Sequence, residues 1–91
     1  MTTAVVLIEA ERDAMSSLGG ALADLDGVAE AYSVTGEWDF VPIVRVPRHE
    51  MLAEVVTGGL VKLPGVSRTQ TMVAFEVFSR HDLEAMFSIG S

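Results

Sequence analysis

Few side chains in this sequence are equipped to make or break a covalent bond. A nucleophile needs a base beside it, and the 91 residues contain no cysteine and only two histidines, His49 and His81. Each stands at an expected helix start beside an acidic residue, Glu50 or Asp82, where a solvated or capping charge is the ordinary role. His49, His81, Asp82 and Glu84 have no zinc-ligand spacing, so neither a catalytic set nor a metal site is expected. A phosphate-cradling loop is missing as well. Glu9-Ala10-Glu11 follows the first apolar run, at the place where glycines would have to bring backbone N–H groups close to a phosphate. No cofactor is expected.

Recognition chemistry is better represented. Thr35-Gly36-Glu37-Trp38-Asp39 puts a permissive backbone turn, carboxylates and the only tryptophan in one short segment. Backbone N–H groups there could bind a carboxylate, Asp39 an ammonium, and Trp38 could wall an apolar side chain. The same residues also read as a hairpin turn whose tryptophan packs on the edge of the core. Thr69-Gln70-Thr71 is open in the same way, as an exposed edge or as hydroxyl donors lining a pocket.

The elements that must position these residues are written twice. Leu25-Asp26-Gly27-Val28 recurs as Leu63-Pro64-Gly65-Val66, 38 residues on from Gly27 to Gly65. The same offset maps Val5, Val6 and Ile8 onto Ile43, Val44 and Val46, Leu18 and Leu22 onto Val56 and Leu60, and Phe40 onto Phe78. Each copy passes from an apolar strand through a helical stripe to a glycine turn and a second strand, a split βαβ unit used twice. Strands are expected over residues 5–10, 28–35, 40–46 and 66–78. Helices are expected over about 13–26, with Met15, Leu18, Leu22 and Leu25 on one stripe, and over about 48–63, with Leu52, Val56, Leu60 and Leu63. A short closing helix is expected over residues 82–87, from Leu83, Met86 and Phe87.

The order βαββαβ with right-handed crossovers predicts an α+β, ferredoxin-like sandwich with the first and third strands at the centre of the sheet. Residues 1–91 are expected to form a single domain. Two details sit awkwardly in it. Pro42 falls in a central strand, where it predicts an irregularity, and Gly19-Gly20 and Gly58-Gly59 interrupt both helices, which predicts close packing or a break. Helices cover one sheet face only. Val5 to Ile8 and Met72 to Phe78 are apolar at both parities, so a second cover is expected, most simply the sheet of another copy.

Composition narrows the partners. Thirteen acidic against six basic residues give a net charge of −7, which opposes phosphate backbones and anionic lipid. Neither nucleic acid nor membrane is expected as a direct partner. The absence of cysteine suits a reducing compartment, and Ala4 to Ile8 is too short to span a bilayer, which together place the chain in the cytoplasm. At 49% hydrophobic content the chain carries more apolar surface than so small a core can hide, and oligomerisation is the expected outlet.

Gly27-Val28, Val34-Thr35-Gly36-Glu37-Trp38-Asp39-Phe40 and Leu63-Pro64-Gly65-Val66 followed by Thr69 and Thr71 resemble the effector-binding half of the Lrp/AsnC, or feast/famine, regulators, often called the RAM domain. The resemblance covers nearly the whole chain. It implies a βαββαβ domain that dimerises through its sheet, commonly builds larger rings, and binds amino acids or related molecules near subunit interfaces. The ligand contacts it implies fall on Gly36, Trp38 and Asp39 in the hairpin and on Thr69 and Thr71 in the last strand. Full regulators of that family open with a helix-turn-helix domain. This chain opens on its first strand, so a stand-alone effector domain is expected, with regulation passing through full-length Lrp/AsnC relatives.

Two further readings compete. A small cofactor-free enzyme of the dimeric ferredoxin-like barrel type, resembling monooxygenases, would need a polar cavity inside each subunit, and the missing acid/base set weakens it. An assembly scaffold without a ligand would keep the sheet and lose the pocket.

Overall fold

The computed structural model describes residues 1–78 and residue 80. The expected closing helix over residues 82–87 and His81 lie outside the described residues. Four strands, β1 (Thr2–Ala10), β2 (Val28–Ser33), β3 (Phe40–Val46) and β4 (Val66–Val73), form one antiparallel sheet in the order β2-β3-β1-β4. The central pair is β1 and β3, as the repeated βαβ unit requires, because each crossover helix carries the chain past its neighbour before it pairs again.

The alternation of β1 and β3 divides the sheet into two faces. Ala4, Val6 and Ile8 of β1 and Phe40, Val44 and Val46 of β3 are buried beneath the helices, with Leu18, Leu22, Leu52 and Leu60 packed on them. On the open face lie Val5 and Leu7 of β1, Ile43 opposite Val5 and Met72 on Val5's other side, with Gln70 opposite Leu7 and Tyr32 opposite Val41. Tyr32 and Met72 are 48% and 45% exposed.

The repeat is visible in the turns. Gly27 and Gly65 adopt φ of 92° and 97°, and each sits third in a turn closed by a hydrogen bond from residue 28 to Leu25 or from residue 66 to Leu63. A positive φ at this position suits glycine, and Pro64 presets the position before it. Both glycine carbonyls then accept from the end of a neighbouring strand segment, from Arg45 N–H at 2.9 Å and Glu11 N–H at 2.8 Å.

The helices are shorter than their apolar stripes. Instead of one helix over 13–26, a 3₁₀ turn at Arg12–Ala14 precedes the α-helix α1 (Leu18–Ala23), and Met15 is 42% exposed. Instead of one helix over 48–63, a 3₁₀ turn at His49–Met51 leads into α2 (Leu52–Val56), followed by another at Leu60–Lys62. Glycines stand in both stretches, inside α1 at Gly19-Gly20 and just past α2 at Gly58-Gly59. Gly19 lies against the Phe40 ring, where an added Cβ would stand 3.2 Å from it, and α2 ends at Gly58-Gly59, where a Cβ on Gly58 would meet the Glu54 carbonyl oxygen at 2.6 Å. Strand ends are corrected too: β2 stops at Ser33 rather than Thr35 and β4 at Val73 rather than Phe78, while β1 begins at Thr2 rather than Val5.

Pro42 does sit in the central strand β3 and is paired with Ala31. The irregularity falls on both sides of it. The β1–β3 pairing is interrupted between Val5↔Ile43 and Ile8↔Phe40, and β2 shifts register between Val28 and Glu30. A residue with no N–H leaves one ladder bond unmade, which fits the gap in the β1–β3 pairing at Pro42.

Candidate functional site

The segment between β2 and β3 is pinned at its base by one residue. Asp39 donates its N–H to the Ile8 carbonyl at 2.9 Å, its carbonyl accepts from Val34 N–H at 3.0 Å, and its carboxylate Oδ2 accepts from Ala10 N–H at 2.8 Å. The loop is thereby tied both to itself and to the end of β1. At its tip Gly36 has φ of 105° with nothing within 4 Å of an added Cβ, so the glycine serves the turn and not a close approach. The backbone N–H groups of Gly36, Glu37 and Trp38 make no hydrogen bond among the described residues, and nor does Asp39 Oδ1. The end of the loop thus offers donors and a carboxylate oxygen to solvent or to a ligand.

Trp38 is half-buried, and its ring is covered by a cation. The Arg68 guanidinium carbon lies 4.4 Å from the ring centroid, within range of a favourable cation–π contact. Arg68 Nη2 also donates to Glu9 Oε2 and to Glu37 Oε1, each at 3.2 Å. Arg68 titrates above its ordinary value, chiefly through the hydrogen bond to Glu37 and further through Glu9. One side chain of β4 therefore touches β1 and two consecutive residues of the loop. Sequence reasoning passed over Arg68. The signal that could have found it is the opposite charge of Glu9, its partner across the β1–β4 ladder.

Thr69 and Thr71 fall elsewhere. They pair with Ile8 and Val6 and so belong to the helix-covered face, opposite the one that carries Arg68 and Gln70. Neither hydroxyl makes a hydrogen bond among the described residues, and Thr71 is exposed. Thr69 shares the row Phe40–Ile8–Thr69 with the base of the loop, so the structure brings Gly36, Trp38, Asp39 and Thr69 to one end of the sheet. It does not bring both threonines onto the face where Trp38 lies.

A concavity lies at the opposite end of the sheet, between the Leu25–Gly27 turn and α2. It is an open groove of about 620 Å³ with Leu25, Met51 and Val55 along it and Asp26, Arg45 and Glu54 at its margin. On the open sheet face nearby, Arg45 Nη1 lies 3.5 Å from Glu30 Oε1. The Tyr32 phenol titrates above its ordinary value, mainly because it is hydrogen-bonded to Glu30. These groups are exposed and mutually satisfied. Among the described residues no three His, Cys, Asp or Glu side chains are grouped to hold a metal ion.

The described residues thus form a ferredoxin-like sheet with one covered face and a polar loop pinned to its end. The sequence profile of the Lrp/AsnC ligand binding domain matches residues 3–83, and the chain belongs to that family. It is 36% identical over 77 residues to an uncharacterized HTH-type transcriptional regulator, PF0250, of Pyrococcus furiosus, covering 81% of this chain and 51% of that protein. The chain thus spans about half the length of the curated relatives it matches. Among solved structures, TTHA0845 of Thermus thermophilus superposes with a TM-score of 0.82 at 48% identity, over 88% of this chain and all of that one. The feast or famine regulatory protein Rv3291c of M. tuberculosis, solved with L-methionine, shares the fold at a TM-score of 0.71 and 24% identity, over 87% of this chain and 53% of that one.

Proposed function

We propose that this domain senses an amino acid or a close relative of one, through the loop of residues 34–39, as a dimer or larger ring of the chain in the cytoplasm. The observation that carries the reading is the set without a hydrogen-bond partner among the described residues: three backbone N–H groups from Gly36 to Trp38 and, next in the chain, Asp39 Oδ1, on a loop already pinned by Asp39 to Ile8 and Ala10. Clustered N–H groups favour a carboxylate and a lone carboxylate oxygen favours an ammonium, which is the charge pattern of a free amino acid. Trp38 supplies an apolar wall beside them. Thr69 joins from the same end of the sheet, in the row Phe40–Ile8–Thr69, and Thr71 from a neighbouring copy. That Rv3291c was solved with L-methionine supports the ligand class.

The open sheet face supports self-association. Val5, Leu7, Val41, Ile43 and Met72 form a contiguous apolar strip on it, and a second sheet would remove that strip from water at roughly 25 cal/mol per Å² before association costs. With a charge of −7, the domain's influence on transcription would pass through a DNA-binding Lrp/AsnC partner rather than through its own contact with DNA.

The test is a thermal-shift screen of the chain against the twenty L-amino acids and their keto-acid relatives. A ligand at a hundred times its dissociation constant stabilises by roughly 2.7 kcal/mol, which raises the melting temperature of a domain this size by roughly 10 °C or more. Backbone amide shifts of the bound state then locate the site. Shifts centred on residues 36–39 support the reading, whereas shifts centred on Met51 and Val55 would move the site to the groove.

A further inference from the structure

We infer that Arg68 is the positioning residue of this loop, a guanidinium clamp that holds Trp38 and Glu37 against the end of the sheet before any ligand arrives. The inference rests on the reading of the loop as part of the ligand site, and goes beyond it by assigning what sets the loop's shape.

Asp39 fixes only the base of the loop, through its bonds to Ile8 and Ala10. Nothing in the turn itself holds the tip, since Gly36 contacts nothing within 4 Å of its missing Cβ position and Gly36 to Trp38 make no backbone hydrogen bonds among the described residues. The tip is held instead from β4. The Arg68 guanidinium carbon lies over the Trp38 ring, 4.4 Å from its centroid, and its Nη2 reaches Glu37 at 3.2 Å. The same nitrogen is anchored to the sheet by Glu9, also at 3.2 Å. Glu9 and Arg68 are direct partners across the β1–β4 ladder, so the clamp stands on the rigid part of the fold. One cation here covers a ring and donates to two carboxylates at once, and lysine, a compact point charge on a flexible stem, does not reproduce that combination. The side chains of Arg68, Glu9 and Glu37 are 50%, 42% and 70% exposed, so the contact should add little to global stability and act mainly on the local population of the closed loop.

Trp38 is the only tryptophan, so its fluorescence reads the clamp without a ligand. Arg68→Met keeps an apolar stem over β4 and removes the cation. The expected result is a rise of about twofold or more in the acrylamide quenching constant of Trp38 with a red-shifted emission. Arg68→Lys should fall between wild type and Arg68→Met, and Glu37→Gln, which leaves β4 intact, should move partway in the same direction. In parallel, the amino acid that most stabilises the wild type, of the twenty tested, should bind Arg68→Met roughly two- to fivefold more weakly, because affinity falls with the closed fraction.

Unchanged quenching in folded Arg68→Met and Glu37→Gln would overturn the clamp. Loosened Trp38 with wild-type affinity would overturn its role in positioning the loop for ligand. If none of the twenty amino acids binds the wild type, the proposed ligand class fails, while the quenching comparison still decides whether Arg68 holds the tip.

Discussion

The Asp39 carboxylate accepts the Ala10 N–H at 2.8 Å through Oδ2, so a residue expected from its type and position to receive a ligand's ammonium is already half used by the fold. The two roles are compatible, because a carboxylate has two oxygens and about four lone-pair directions. They separate under substitution. Asp39→Ala removes both and should cost about 1 to 2 kcal/mol of stability, the lower part of the range for a charge-assisted hydrogen bond because the site is only partly buried. Asp39→Asn keeps an oxygen for Ala10 and loses the charge. It should melt close to wild type while binding the screened amino acid roughly tenfold or more weakly. Equal affinity of the Asp39→Asn variant and the wild type by calorimetric titration would confine Asp39 to its structural role.

Three glycines with positive φ should not be equal in cost. A Cβ on Gly27 at φ 92° would lie 2.5 Å from Val55 Cγ2, and one on Gly65 at φ 97° would run into Ala14 Cβ, whereas Gly36 at φ 105° faces open space. Backbone strain of about 1 to 2 kcal/mol applies to all three, and overpacking of roughly 1 to 3 kcal/mol adds at the first two. Urea unfolding should therefore rank Gly36→Ala as the mildest of the three alanine variants, with Gly27→Ala and Gly65→Ala well below it in stability.

The contrast among these glycines indicates which features are legible in the sequence. The repeat from Gly27 to Gly65 predicts two equivalent turns, and they are equivalent down to their φ values and carbonyl acceptors. Strand β3 runs over Phe40–Val46 as its pattern predicts, because alternation and burial report on the same pleat. The helices fall short of their stripes for a different reason. The spacing of Met15, Leu18, Leu22 and Leu25 records which residues can reach one face, and it is blind to where the backbone actually turns helical, which is only over Leu18–Ala23. The faces of Thr69 and Thr71 and the reach of Arg68 depend on the β1–β4 register, which pairs Glu9 with Arg68, 59 positions on in the chain. No local pattern carries that information.

The charge of −7 predicts that the isolated chain has no measurable affinity for duplex DNA at physiological salt. A protein that neutralises several phosphates needs clustered Lys and Arg, and Arg45, Arg48 and Arg68 are each engaged by a carboxylate. Fluorescence anisotropy of a labelled duplex should stay flat to tens of micromolar protein. Micromolar binding that weakens steeply with salt would contradict this.

Ile43 provides the sharpest test of self-association. It sits mid-strand in the central β3, opposite Val5 on the open face, and Val5 has Met72 on its other side, so it lies at the middle of the apolar strip. Its side chain is no part of the core beneath the helices, which is built from the other parity of the same strand, Phe40, Val44 and Val46. A charge placed there should therefore spare the fold and strike the interface. Light scattering at micromolar concentration should give a dimer or larger ring for the wild type and a monomer for Ile43→Asp, with the circular dichroism of a folded α+β domain retained. Placing an unpaired carboxylate in a dry interface costs several kcal/mol, enough to shift a micromolar association by more than a thousandfold. A wild-type monomer, or an Ile43→Asp variant that stays associated, would show that the open face is covered in some other way than by a second copy of the sheet.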